Sequence, residues 1–179
     1  MVPYADDASV RKLVRCTSPR TAFPTRVTDW VTIKLGPLPF AFPNTATRKR
    51  AIPLHDLHHI ATGYSTTLRG EAEIGAWEIA SGYWAAWVLN ATGFAYGLVL
   101  APRRVYRAFV RGRHSRTLYR AGWNDALLDL SVRELRVRVA VGERAPRATW
   151  RDRAAFVGWV ALVAAPGLGL GVLAVAALT

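Results

Sequence analysis

The sequence contains a single cysteine, Cys16, and few acidic residues. One thiol cannot form an intramolecular disulfide, and it excludes a cysteine-rich metal site. The chain has 12 Asp and Glu against 24 Lys and Arg, so its formal net charge is +12. This shortage of negative charge predicts an anionic partner. Because 51% of the residues are apolar and no nucleic-acid recognition module is visible, membrane lipids are favoured and nucleic acid is not expected.

Histidine is also scarce, which excludes several metalloenzyme classes. The chain has four histidines, three of them in residues 55–59 and the fourth at His114. Membrane desaturases share the H-x-x-H-H spacing but need several further histidine boxes. HD phosphohydrolases need ligands further along the chain, and the H-E-x-x-H motif of zinc proteases is absent. A metal-dependent lipid phosphatase is a weak alternative, since no Gly-rich phosphate cradle leads into a helix.

The first residues lack the apolar core of a secretory signal, which predicts a cytoplasm-facing protein. We expect a flexible N-terminal arm over 1–25. Residues 26–45 form a predicted β-hairpin or flap, because apolar and polar residues alternate from Val31 to Leu35. Residues 46–145 are predicted to form a metal-binding helical domain. The predicted fold class is therefore mainly α, with a small N-terminal β-hairpin and a C-terminal membrane segment.

Two uncharged stretches carry most of the apolar surplus. Residues 79–100 have the length of a membrane span, but Gly82 and Gly93 interrupt them. A full span, two shorter buried helices and a half-immersed hairpin therefore all stay open. Residues 154–179 contain no charge, with Trp159 near their start and Arg153 just before them. This arrangement predicts a hydrophobic C-terminal membrane segment.

The sequence PLHDLHHIATGYSTTLRGE, residues 53–71, is the best candidate for a site. His55 and His59 are four residues apart, so on a helix they lie on one face. Gly63 would end that helix and Ser65 or Thr66 would cap the next, which carries Glu71. Two nitrogens and two oxygens suit a divalent metal, so the predicted ligands are His55, Asp56, His59 and Glu71. A core histidine pair bracing two helices, or a purely structural metal, would also fit this pattern.

Two further groups of residues complete the predicted site. Aromatic side chains after the motif would hold a lipid tail or substrate; they are Trp77, Tyr83, Trp84, Trp87 and Phe94. Arg103, Arg107 and Arg111 are spaced four apart and would contact an anionic membrane surface. A solvated helix face is the simpler interpretation of this arginine row.

Four motifs in order resemble one known family. LHDLHHIATGY followed by Gly70-Glu71 is similar to the HDLWHVLTGY and GE segments of the fourth protein of coenzyme Q (ubiquinone) biosynthesis and its bacterial relatives. The segment from Ala108 to Arg113 resembles that family's A-x-x-R-G-R. Trp123 and the segment from Val132 to Arg136 resemble its closing W and L-x-E-V-R segments. The likeness covers about residues 50–142, in a divergent bacterial-type form.

The resemblance implies a mainly α-helical fold and a divalent metal, usually taken as zinc, on His55, Asp56, His59 and Glu71. It implies a peripheral protein on the cytoplasmic side of the inner (plasma) membrane, in contact with membrane lipids, a prenylated quinone precursor and other quinone-biosynthesis enzymes. The implied activity is that of a lyase: decarboxylation, with hydroxylation, at C1 of the aromatic head group. A non-catalytic lipid-binding scaffold for those enzymes is the alternative, and a homodimer is left open.

Overall fold

The structure is a computed structural model that describes residues 4–17, 30–35, 38–43, 46–82, 85–142 and 145–178. The expected mainly helical fold is confirmed. The α-helices are α1 (Val10–Thr17), α2 (Ala46–Thr62), α3 (Leu68–Ala80), α4 (Ala85–Leu100), α5 (Pro102–Arg113), α6 (Val132–Arg138) and α7 (Trp150–Leu178). Strands β1 (Trp30–Leu35) and β2 (Leu38–Pro43) pair antiparallel, with Val31 opposite Phe42.

Helix α3 lies at the centre of the fold and packs most extensively against α4 and α5. Its Ile74 and Trp77 are fully buried. The uncharged stretch over 79–100 is not one continuous helix, because α3 ends at Ala80 and α4 begins at Ala85. Between them Gly82 has a φ of 91°, a conformation that strains any residue with a Cβ. Two shorter helices are therefore the form this stretch takes.

Two glycines let the neighbouring helices approach α3 closely. A Cβ at Gly97 of α4 would lie 2.5 Å from the Cβ of Ala72. A Cβ at Gly112 of α5 would lie 2.3 Å from the carbonyl oxygen of Trp77. No side chain fits at these distances without moving a helix. The glycine in the R-G-R segment is thus explained by helix packing.

We expect Gly112→Ala to destabilise the fold by at least about 2 kcal/mol, because the added methyl group overpacks the contact between α5 and the α3 backbone. Gly158→Ala is the matched control, since a Cβ there meets nothing within 4 Å. Alanine at that helical position should be neutral or stabilise by up to about 1 kcal/mol. Urea unfolding of the two variants measures both effects; equal stabilities would contradict the close packing.

The described part of the predicted flexible arm is folded, so that prediction is wrong for residues 4–17. Val10 of α1 is fully buried and its N–H donates to the carbonyl of Leu130 at 3.1 Å. Helix α6 begins with a capping box, in which the side chains of Ser131 and Glu134 each accept from the other residue's backbone N–H. The apolar side chains of α1 therefore complete the core that a free arm would leave exposed.

Helix α7 is fixed at its first turn and packs on the rest of the fold. Thr149 and Asp152 bond each other's backbone N–H groups, at 3.3 and 2.9 Å. The ring of Phe156 contacts those of Phe94 and Phe109, at centroid distances of 6.0 and 5.3 Å. Among the described residues, none of the helices combines the length and the apolar character needed to cross a bilayer.

Candidate metal centre

The turn between α2 and α3 brings the predicted ligands together. Gly63 adopts a φ of 74° and its N–H closes the end of α2 on the carbonyl of His59, at 2.9 Å. The N-cap of α3 is Thr67, whose hydroxyl accepts from the N–H of Gly70 at 3.3 Å. The predicted cap, Ser65 or Thr66, was therefore one or two residues too early. Because α3 starts so soon after α2 ends, Glu71 in its first turn faces the last two turns of α2.

Three donor atoms converge at this point. The Nε2 atoms of His55 and His59 are 3.1 Å apart. Nε2 of His55 is 3.3 Å from one carboxylate oxygen of Glu71, and Nε2 of His59 is 3.3 Å from the other. These three residues form a group that could hold a metal ion, with ligand atoms within 4.8 Å of one another. Asp56 is not part of it, because the neighbouring residue on a helix points about 100° away.

The outer partners of the two imidazoles orient them for metal binding. Nδ1 of His59 donates to the carbonyl oxygen of Tyr64 at 3.0 Å. Nδ1 of His55 donates to Oε1 of Glu78 at 3.0 Å. In the neutral ring, the proton on Nδ1 leaves Nε2 with a lone pair. Both lone pairs then point at one another and at a carboxylate, so a cation must lie between them or one ring must take a proton.

The distances among the three donors suit a tetrahedral ion. Metal to nitrogen bonds of about 2.0–2.1 Å place two ligand atoms of a tetrahedron about 3.4 Å apart, close to the separations between His55, His59 and Glu71. Two histidines and one glutamate leave one position open, the pattern of catalytic zinc sites. The side chains of Glu71 and His55 are 41% and 21% exposed, so solvent reaches the group. A histidine pair that only braces the core would need neither a carboxylate at metal-ligand distance nor exposure to solvent.

The charges around His55 and Glu71 also favour binding of a cation. Burial opposes protonation of His55, but the negative charge of Glu78 and the hydrogen bonds that His55 donates to Glu71 and Glu78 outweigh it and raise the pKa of the imidazole to about 10. Burial likewise opposes ionisation of Glu71, but its contacts with the His55 and His59 imidazoles lower the pKa of this carboxyl to about 2. Two carboxylates thus face a single imidazolium, and a divalent ion would neutralise both negative charges.

Glu78 is the residue that the sequence reasoning missed. Its side chain is fully buried, and its Oε1 accepts from His55, from Nδ1 of His58 at 2.7 Å and from the hydroxyl of Tyr119 at 2.8 Å. Oε2 accepts from the amide of Asn90. The signal was available, since Glu78 lies seven residues, two helical turns, after Glu71 and hence on the same face of α3. A buried carboxylate with four donors fixes the ring of His55.

His58 belongs to this network and not to the ligands. Its Nε2 accepts from the backbone N–H of Leu118 at 3.0 Å, so Nδ1 carries the proton that Glu78 accepts. Burial, the largest influence, lowers the pKa of this imidazole despite the neighbouring carboxylate. His58 is therefore neutral, with both nitrogens engaged. His114 is far more exposed, and its Nε2 lies 3.2 Å from Asp152.

We expect metal binding at pH 8 to release about one proton per ion. His55 must lose its proton to coordinate, and with a pKa near 10 it still holds that proton at pH 8. Apparent affinity should therefore rise about tenfold per pH unit toward pH 10. Calorimetric zinc titrations in buffers of different ionisation enthalpy measure the number of protons released per ion. Zinc binding without proton release would contradict the raised pKa of His55.

The metal-free protein should show the matching dependence of stability on pH. The folded pKa of His55 is raised above its usual 6.5, so its contribution is present below pH 6.5 and lost as pH rises through about 10. The pKa of Glu71 is depressed, so its contribution is present above pH 4.5 and lost as pH falls through about 2. The combined contribution of His55 and Glu71 to stability is therefore largest between pH 4.5 and 6.5. Unfolding midpoints measured across this pH range and beyond it would reveal the maximum.

The aromatic residues predicted to hold a lipid tail or substrate are buried wherever the structure describes their side chains. Trp77 and Phe94 have no exposed surface, so the prediction that they line a ligand chamber is wrong. They are core side chains, and Trp77 packs on His58 at a centroid distance of 5.0 Å. Tyr83, Trp84 and the side chain of Trp87 lie outside the described part of the chain.

Of the three arginines predicted to contact a membrane surface, two are exposed and one is buried. Arg103 and Arg107 are exposed, as a surface contact requires. Arg111 is only 7% exposed, so the prediction that it contacts a membrane surface is wrong. It donates to the carbonyl of Thr62 at 2.8 Å and so caps the end of α2. The arginine therefore supports the helix that carries both histidine ligands.

Comparison with known proteins adds no relative: no protein-family model, curated protein or solved structure matches this chain.

Proposed function

We propose that this chain is a membrane-associated zinc protein of quinone biosynthesis that decarboxylates the aromatic head group of a prenylated precursor. The observation that carries the proposal is the convergence of His55, His59 and Glu71 at a partly exposed point. Three ligands would leave a tetrahedral ion one open position. The four-motif resemblance to the coenzyme Q family supports the pathway and the substrate class. Nitrogen and oxygen donors in a small tetrahedral set support zinc.

The residues of the site would divide the work as follows. His55, His59 and Glu71 hold the ion, which when bound polarises a carboxylate or phenolate and stabilises negative charge. Glu78 keeps the His55 ring oriented. In the decarboxylation, the bond between ring carbon and carboxylate breaks, carbon dioxide leaves, and the ring carbon takes a proton. Hydroxylation would need an oxidant, and zinc has no redox chemistry, so the proposal covers decarboxylation alone.

Membrane association has support from exposed side chains near the ends of two helices. Val99 and Leu100 at the end of α4 are 81% and 45% exposed, and Val157 of α7 is 65% exposed. Arg103 and Arg107 follow closely on α5. Exposed apolar residues beside basic ones suit the head-group region of an anionic membrane. We place the protein on the cytoplasmic side of the inner membrane, where other quinone-biosynthesis enzymes would meet it.

The test is conversion of a prenylated 4-hydroxybenzoate in anionic vesicles by the purified full chain loaded with zinc. We expect carbon dioxide and the decarboxylated phenol from the wild type and from His114→Ala. His59→Ala should give neither, because it lacks one of the three ligands. If the wild type holds one zinc ion per chain, binds the vesicles and forms no product, the catalytic proposal fails.

That last outcome would favour the alternative, a non-catalytic lipid-binding scaffold that organises quinone-biosynthesis enzymes. The exposed apolar residues Val99, Leu100 and Val157 are the specific observation in its favour, because a scaffold needs a lipid or protein contact but no open coordination position. Copurification of quinone enzymes with the wild type and with His59→Ala alike would support it.

A further inference from the structure

A second site candidate borders the buried network of His58 and Glu78 at Leu118. A groove of about 460 Å³ is lined by Ser81, Arg116, Thr117, Leu118, Arg120, Ala121 and Arg138. Leu118 is the residue whose N–H bonds His58, so the groove has a rigid wall. Three of its seven described lining residues are arginines.

The backbone brings these arginines together from two segments, residues 116–120 and the end of α6. The N–H of Arg116 donates to the carbonyl of Val139 at 2.8 Å, which sets Arg116 beside Arg138 at the end of α6. Arg120 reaches the end of α3, where its Nη2 donates to the carbonyl of Gly82. A guanidinium has five N–H donors, so one bond leaves Arg120 with donors to spare.

A neighbouring groove shows that arginines elsewhere in this fold are compensated. It is lined by Asp6 together with Arg133 and Arg136, and both guanidiniums contact the Asp6 carboxylate. Among the described residues lining the first groove there is no carboxylate, and neither Arg116 nor Arg138 has an ion-pair partner in that part of the chain. Three positive charges therefore face one concave surface on which the described residues place no counter-charge.

We propose that the groove of Arg116, Arg120 and Arg138 binds a phosphate monoester. Guanidinium groups bond phosphate oxygens in pairs of parallel hydrogen bonds, and a phosphate has enough acceptor atoms for several arginines at once. The ester is either a soluble metabolite or the head group of an anionic lipid, since the two present the same chemistry. This proposal stands apart from the metal centre, because none of the groove residues belongs to the ligand group.

The test is a ³¹P NMR titration of the full chain with glycerol 3-phosphate, alongside sedimentation with vesicles that contain phosphatidate. The double variant Arg116→Gln/Arg138→Gln removes two exposed charges from the groove. The matched control Arg147→Gln/Arg153→Gln removes two exposed charges elsewhere. Loss of one charge-assisted hydrogen bond lowers affinity about tenfold. The groove variant should therefore bind the phosphate ester about 100-fold more weakly than wild type, and the control should bind it within about twofold of wild type.

The outcomes separate the sources and the rival explanations. Saturable binding of glycerol 3-phosphate supports a soluble ester, and binding of phosphatidate vesicles alone supports a lipid head group. Retention of binding in His59→Ala excludes the metal centre as the anion site. Equal weakening in both double variants, or binding of neither probe, would overturn the proposal.

Discussion

Replacing His59 with alanine should weaken zinc binding by more than about 100-fold, the most that loss of an outer hydrogen-bond partner usually causes. The variant loses one of three ligands, and Nε2 of His55 and the Glu71 carboxylate alone cannot enclose a tetrahedral ion. The His59 side chain is only 6% exposed, so no other side chain replaces it without repacking. Competition titration with a chromophoric chelator measures the affinity.

His114→Ala is the matched control, because it also truncates a histidine but one that bonds Asp152 and lies outside the ligand group. Its zinc affinity should stay within about twofold of wild type. Circular dichroism should show that both variants keep the helical fold. If wild type and His59→Ala bind zinc equally tightly, the ion binds elsewhere and His55, His59 and Glu71 are not its ligands.

The sequence was most informative where local rules decide the structure. The spacing of His55 and His59 and the end of α2 at Gly63 depend on contacts within a few residues of chain. The helical class and the meeting of both histidines with Glu71 follow from those rules and a short turn. Each is present in the structure.

Tertiary packing decided the features that could not be predicted. Arg111 lies on the same spacing as Arg103 and Arg107, yet α5 rotates it inward, where the end of α2 supplies carbonyl acceptors. The buried role of Glu78 depends on Asn90 and Tyr119, which come from distant segments. Charge in a sequence signals exposure on average, so a charged side chain with buried partners is where such reasoning fails.

Glu78→Gln should both destabilise the fold, by about 3 kcal/mol, and weaken zinc binding by about 10- to 100-fold. Glutamine keeps the shape but presents an amide NH₂ where the carboxylate now accepts from donors on both oxygens. His58 cannot adapt, because its Nε2 must accept from the N–H of Leu118. At best His55 would keep a neutral carbonyl acceptor in place of the carboxylate, which holds the proton on Nδ1, and so the orientation of the ligand nitrogen, less firmly.

Glu73→Gln on the same helix is the matched control for this change. Its carboxylate pairs with the half-exposed Arg104 at 3.1 Å and touches no histidine of the network. Removing this pair should cost at most about 1 kcal/mol and leave zinc affinity unchanged. Urea unfolding and chelator competition on both variants separate the two effects. Wild-type affinity in Glu78→Gln would show that zinc itself orients His55, because the ligand ring would then need no support from the carboxylate behind it.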